Sequence, residues 1–352
     1  PRSTLFPYTT LFRSQDRHGD HGLGRAAAPA GTSEPAMSNQ DSHVQGRWSA
    51  TLMGIGAILL WGMSIAMSRR VTEQLGVLPA SAWLYFLSGL MGTGYFVLTG
   101  RGRKLTGMPF RHLLLCGVVF VAYGPSLYLA VGLAVDRQQA VEVGIINYLW
   151  PSLTLVFSLP VLGFRARWWL WLGMAAAVAG VAMAMFTGQA FTWSVLANNL
   201  RAHWIPYGLA LNAAVLWGLY SNLTRRLSRG VEGSAAPLYL LATGVVLMLS
   251  GLAVPHEAPA WTPRAVVELF FMAAGPGMLA YVLWDIAMRR GHMILVTAMS
   301  YAIPLLSTLI SCLLLGVRMG PTLWAACGLV IGGAVLCKFA LRDPADEHQQ
   351  GM

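Results

Sequence analysis

The chain has 352 residues, of which 56% are hydrophobic and only 11% charged, with a formal net charge of +10. Soluble domains carry roughly 25% charged residues, so a soluble globule of this size would lack the charges to coat its surface. The apolar runs are continuous rather than alternating, which excludes a transmembrane β-barrel, and many reach the roughly 20 residues that cross a bilayer as a helix.

The first 36 residues stand apart. Pro1 to Ser14 has neither the apolar core nor the small-residue cleavage site of a signal peptide, and it reads as adapter-derived translation. Residues 20–36, rich in Gly, Ala and Pro, read as disordered. The expected start is Met37, with the first span serving as the targeting signal.

Ten spans follow. They run roughly over Trp48–Ser68, Pro79–Leu98, His112–Ala134, Gln138–Leu162 and Trp168–Phe186. After a polar stretch, Thr187–His203, come Trp204–Leu223, Ala236–Val254, Ala265–Met288, His292–Leu315 and Thr322–Phe339. With the N-terminus inside, the inner segments hold 14 Lys and Arg residues and the outer ones 6. Excess basic charge marks the cytoplasmic side, so both termini are expected there, with 341–352 as a cytoplasmic tail. The same bias accounts for the net positive charge, so a nucleic-acid partner is not expected. At the outer end of the first span Glu73 is placed to neutralise part of Arg69-Arg70.

The fourth span contains the most informative stretch, Glu142-Val143-Gly144-Ile145-Ile146-Asn147-Tyr148-Leu149-Trp150-Pro151-Ser152-Leu153-Thr154. Pro151 has no N–H to give the carbonyl of Asn147. A counterpart, Ser300-Tyr301-Ala302-Ile303-Pro304, lies 153 residues later, where Pro304 frees the carbonyl of Ser300. Leu60-Trp61-Gly62 and Arg69-Arg70 recur as Leu216-Trp217-Gly218 and Arg225-Arg226, offset by 156, and Gly124-Pro125 is answered by Gly275-Pro276. The chain therefore divides into repeats at 47–186 and 204–340. Each holds five spans, an odd number, so the second enters the membrane in the opposite sense. The expected fold is an all-α membrane protein of ten transmembrane helices, two inverted five-helix repeats around a central cavity. Matched proline-broken spans point to a transporter's binding site.

At Glu142-Val143-Gly144, at Asn147 through Thr154, and at Ser300-Tyr301 followed by Pro304, the chain resembles the drug/metabolite transporter superfamily, built from two EamA-type domains. Within that superfamily it is most similar to the aromatic amino-acid exporters. The resemblance covers about residues 47–340. It implies an inner-membrane exporter of aromatic and other neutral amino acids, a substrate that composition and periodicity do not show.

The residues themselves describe a lining suited to a zwitterion. Amides, hydroxyls and freed carbonyls at Asn147, Ser152, Ser300 and Ser307 offer partners to an ammonium or a carboxylate. Trp61, Tyr123, Tyr148, Trp150, Trp217, Tyr281 and Tyr301 offer aromatic surfaces. With Pro151 and Pro304 these make the expected substrate site. Simpler readings stand beside it: the prolines as helix kinks, the tryptophans as an interfacial belt, and Gly173, Gly180, Gly328, Gly332 and Gly333 as helix-packing contacts.

Charged groups within spans are functional candidates by default. Glu142 is the sharpest, either as a contact to substrate or proton or as an outer-gate partner of Arg137. Asp285 reads as a structural partner of Arg289. His112, His203, His256 and His292 are scattered, and no Cys-x-x-Cys or Gly-x-x-x-x-Gly-Lys motif occurs. Neither catalysis nor a cofactor is expected. The expected partners are a small-molecule substrate, amino acids first, and the lipid bilayer, with a monomer as the working unit. Facilitated diffusion and proton coupling both remain open, as does another small metabolite or a drug on the same fold.

Overall fold

The computed structural model describes residues 39–135, 137–185, 192–228, 233–253, 258–303, 305–306 and 321–342. Among these the chain is helical almost throughout. Helix α1 (Asn39–Leu75) is followed by α2 (Val77–Leu98), the short α3 (Arg103–Thr106) and α4 (Phe110–Gly132). Then come α5 (Arg137–Asn147), α6 (Trp150–Leu162), α7 (Trp169–Met185) and α8 (Trp193–Ala202). Beyond them lie α9 (Trp204–Leu227), α10 (Ala236–Ala253), α11 (Pro263–Met272), a π-helical segment Ala273–Leu279 and α12 (Ala280–Arg290). Helix α13 (Met293–Met299), a 3₁₀ turn Ser300–Ala302 and α14 (Pro321–Ala340) complete the described chain. Gly76 turns α1 into α2 at φ 79°, a left-handed conformation that glycine adopts without a Cβ penalty.

Among the described residues five helical stretches are long and apolar enough to cross a membrane: Val77–Leu98, Phe110–Gly132, Glu142–Leu162, Ala236–Ala253 and Pro263–Arg290. Shorter apolar helices cover 169–183, 293–302 and 324–340. Helix α9 is as long but more polar, because much of it faces protein rather than lipid. Its Tyr207, Ser221, Asn222 and Thr224 are buried, and Asn222 Nδ2 donates to the carbonyls of Thr154 (2.9 Å) and Gly218 (2.8 Å). Helix α9 packs on α4, α5, α6 and α12 and so forms the centre of the molecule.

Two helix pairs meet at small residues. Helix α2 lies against α10, where Gly92 faces Pro237 and Gly244 faces the backbone of Phe86. Helix α7 lies against α14, where a methyl at Gly333 would come 2.5 Å from the carbonyl oxygen of Gly173. Gly180 meets Ala326 and Val330 in the same seam. A two-residue antiparallel bridge, β1 (Arg165–Ala166) with β2 (Leu341–Arg342), ties the start of α7 to the end of α14.

One feature differs from the sequence expectation and two add to it. Among the described residues nothing lies within 4 Å of a methyl placed at Gly328 or Gly332, so these two are not seen packing helices there, unlike Gly173, Gly180 and Gly333. The polar stretch 187–203 contains helix α8, whose described side chains, Leu200 and Arg201 among them, are exposed. Arg70 reaches Glu268 at 3.4 Å, across from α1 to α11, and Arg264 reaches the same oxygen at 3.1 Å.

The repeat seen in the sequence has a packing counterpart. Gly62 lies against Leu306 and the carbonyl of Ile303. Gly218, its equivalent 156 residues on, lies against Leu153 and Thr154. Leu153 and Leu306 are themselves equivalent at the offset of 153. Each repeated Trp-Gly pair thus packs into the broken span of the opposite half, where the missing side chain lets the backbones approach.

Candidate functional site

The fourth span is interrupted. Helix α5 ends at Asn147, Tyr148 and Leu149 form a turn, and α6 begins at Trp150. The Leu149 amide reaches back only to Ile146 (3.0 Å), a tightened turn. Pro151 occupies the first turn of α6, where its missing N–H would be unpaired in any case. The matching span narrows to a 3₁₀ turn at Ser300–Ala302 just before Pro304, which itself lies outside the described residues. The Gly275-Pro276 pair produces a third irregularity, the π-helical segment Ala273–Leu279. A wider turn accommodates the proline ring and leaves carbonyls free to accept elsewhere. The Pro276 carbonyl accepts from Trp61 Nε1 at 3.0 Å. Pro125, by contrast, lies within the unbroken α4.

These irregularities surround a cavity of about 220 Å³. It is lined by Trp61 from α1, Tyr123 from α4, and Gly144, Asn147, Tyr148 and Trp150 from the interrupted span, with Trp217 from α9, Tyr281 from α12 and Ile303. Seven of these nine residues are ones whose type and position single them out in the sequence. Gly144 offers no side chain to read. Ile303 was not singled out, although it stands at the position equivalent to Trp150 in the repeat.

The aromatic walls hold one another in place. Trp61 meets Trp217 (5.8 Å, 74°) and Tyr281 (5.3 Å, 72°) edge to face, and Trp217 meets Tyr281 in the same way (5.6 Å, 84°). Tyr123 lies 4.9 Å from Trp217. Such pairs contribute about 0.5–1.5 kcal/mol each beyond their burial. Behind the lining, the completely buried Trp284 packs on Trp150 and Trp217, and the completely buried Phe120 packs on Trp217. Tyr281 is further tied to Tyr85 through their hydroxyls, 3.3 Å apart.

Among the nine lining residues none is charged at neutral pH. The Asn147 side-chain oxygen is buried and has no hydrogen-bond partner among the described residues. A buried acceptor left unpaired costs about 1–3 kcal/mol, so this oxygen marks a place where a donor is wanted.

Other candidates sit behind the cavity. The hydroxyls of Ser152 and Tyr301 hydrogen-bond to each other, and Tyr301 is completely buried among Ala177, Val181 and Leu305. Ser300 Oγ turns back to the carbonyl of Thr297 at 2.6 Å. After the turn at Tyr148–Leu149 the span still presents Trp150 to the cavity, while Ser152 points to Tyr301 instead. Pro151 is buried and does not line the cavity.

Glu142 is buried too, one turn before the cavity, where its carboxylate accepts from the Tyr207 hydroxyl of α9. The Arg137 side chain and Ser307 lie outside the described residues. At the opposite end Asp285 is paired with Arg289 at 2.9 Å, both side chains almost fully buried. Arg289 also donates to the carbonyl of Gly233, and Tyr220 reaches Asp285 at 3.5 Å. Among the described residues no three His, Cys, Asp or Glu side chains gather as a metal site.

Comparison with known proteins places this geometry. The EamA-like transporter family matches the chain twice, over residues 48–186 and 204–338. The chain is 31% identical to the aromatic amino acid exporter YddG of Salmonella typhimurium, over 83% of this chain and 98% of that protein. It is 30% identical to the exporter of the same name from Escherichia coli, over 84% and 99%. A protein of known crystal structure superposes with a TM-score of 0.70 at 27% identity, covering 83% of this chain and 98% of that one.

Proposed function

The chain belongs to the EamA-like transporter family, and from that premise we propose that it exports aromatic and other neutral amino acids across a bacterial inner membrane. The observation that carries this reading is the cavity itself. A space of about 220 Å³ is below the roughly 300–1,000 Å³ of sites for drug-sized ligands, and its lining combines aromatic rings with the unpaired Asn147 oxygen. Asn147 takes the substrate's ammonium, and the rings of Trp61, Tyr123, Tyr148, Trp150, Trp217 and Tyr281 take its aromatic side chain. Ser152 and Tyr301, joined through their hydroxyls, hold the two interrupted spans in register behind them. The names of the similar exporters support the substrate class.

The architecture in this reading is ten spans in two inverted five-helix repeats, 47–186 and 204–340, with both termini cytoplasmic and a single chain as the working unit. The reciprocal packing of Gly62 on Leu306 and of Gly218 on Leu153 supports it, as does the family's two-fold match. Transport runs by alternating access: the two bundles rock about the fixed site, with the irregular turns at Ser300–Ala302 and Ala273–Leu279 as bending points. Glu142 and Arg137 belong to the outer gate. No cofactor and no chemical step are required, and movement down the substrate gradient suffices.

Counterflow tests this reading. Proteoliposomes loaded with unlabelled phenylalanine and placed in labelled phenylalanine, with no ion gradient, are expected to accumulate label transiently. Tryptophan is expected to compete and lysine or glutamate to leave the signal unchanged. Absence of accumulation with and without a pH gradient would transfer the proposal to another metabolite.

A further inference from the structure

We infer that the cavity recognises the ammonium of its substrate and makes no ionic contact with the carboxylate, so that aromatic monoamines, which lack the carboxylate, are a second substrate class. The inference rests on the reading of the cavity as an amino-acid site and extends it.

The argument is one of charge. A zwitterion brings two ions into a space shielded from water, and each needs a partner there. For the ammonium the lining offers the Asn147 side chain, whose oxygen has no hydrogen-bond partner among the described residues. It also offers the electron-rich rings of Trp61, Tyr123, Tyr148, Trp217 and Tyr281. A cation near such a ring gains about 0.5–1 kcal/mol when exposed and about 2 or more when desolvated. For the carboxylate the lining offers no Lys, Arg or His among the described residues. The donors that remain are neutral: the Asn147 amide N–H and tyrosine hydroxyls, of which Tyr281 already shares a hydrogen bond with Tyr85.

The buried basic side chain of α12, Arg289, is engaged by Asp285 and by the Gly233 carbonyl. Those ring faces that attract the ammonium also repel an anion, because the quadrupole has one sign. Removing the carboxylate therefore removes a desolvation cost without removing an ion pair, whereas removing the ammonium removes the interactions the site provides.

A matched trio decides it: tyrosine, tyramine and 3-(4-hydroxyphenyl)propionate share one ring and differ only in the two charged groups. In proteoliposomes carrying the full chain, each is offered as competitor of phenylalanine counterflow, and labelled tyramine uptake is measured directly. Tyramine is expected to compete within about tenfold of tyrosine and to be taken up itself. The propionate is expected not to compete at a hundredfold excess. Asn147→Asp, which adds a carboxylate to the cavity, is expected to shift preference toward tyramine over tyrosine by tenfold or more.

Competition by the propionate with silence from tyramine would overturn the inference while leaving amino-acid export intact. Tyramine uptake without phenylalanine counterflow would overturn the amino-acid reading, and with it the place of monoamines as a second class. Silence from all three ligands in vesicles that hold folded protein would end both.

Discussion

Ser152 and Tyr301 hydrogen-bond through their hydroxyls, and by that contact the interrupted span of one half holds the interrupted span of the other. The pair lies just behind the cavity, buried on both sides. Neither partner can move alone without leaving a polar atom unpaired in an apolar surround. Tyr301→Phe and Ser152→Ala are each expected to lower stability by about 1–2 kcal/mol. The double variant should cost less than the two single costs added together, as contacting residues do. Thermal unfolding of the purified protein in detergent measures the cycle; strict additivity would mean that the contact does not couple the halves.

Asn147 is expected to govern substrate affinity rather than folding. Its side-chain oxygen already has no partner among the described residues, so Asn147→Ala removes little that the empty protein uses. A hydrogen bond to a charged group is worth about 1.5–3 kcal/mol, or a loss of roughly ten- to a hundredfold in apparent affinity. Counterflow at several phenylalanine concentrations gives the value. An unchanged half-saturation in a well-folded variant would remove Asn147 from the site.

Glu142 and Tyr207 separate a charge from a hydrogen bond. Glutamine can still accept from the Tyr207 hydroxyl, so Glu142→Gln is expected to keep the fold; Tyr207→Phe removes one donor from a buried carboxylate. The second change should cost about 1–3 kcal/mol in thermal stability. If Glu142 acts as gate or counter-ion, Glu142→Gln loses transport while its melting temperature stays near that of the wild type. Full retention of transport would make Glu142 a bystander.

The glycines divide into two groups with opposite expected outcomes. A methyl at Gly244 would collide with the backbone of Phe86, and one at Gly218 would stand 3.1 Å from the Thr154 amide nitrogen. Both Gly→Ala variants should destabilise, Gly244→Ala to the point of poor insertion. Gly328 and Gly332 meet nothing among the described residues. Alanine there should raise stability by up to about 1 kcal/mol per site through helix propensity. Yield and melting temperature across the four variants check the division.

Asp285 and Arg289 form a nearly dry ion pair, one turn apart on α12. Removing one member of such a pair leaves an uncompensated charge and costs about 3–5 kcal/mol. Asp285→Asn is therefore expected to reduce folded yield sharply, and the paired exchange Asp285→Asn with Arg289→Gln to recover part of it. Size-exclusion profiles of the detergent extracts distinguish the two.

Composition alone established a helical membrane protein, because too few charged residues exist to coat a soluble surface of this size. The proline positions and repeat offsets marked where the fourth and ninth spans change course, since a missing N–H acts locally. Seven residues of the cavity lining were legible for the same reason: aromatic, amide and repeat-matched positions carry their chemistry in their identity. Tertiary structure decided which polar groups turn toward one another instead. Ser152 satisfies Tyr301, Ser300 satisfies its own helix, Glu142 meets Tyr207, and Glu268 meets Arg70. None of these pairings follows from spacing along the chain, except the contact of Ser300 with its own turn. They depend on how a helix is phased after a break and on which neighbour it then faces. The Asn147 oxygen found no partner among the described residues, and a break visible in the sequence became a cavity only when helices from both halves closed around it.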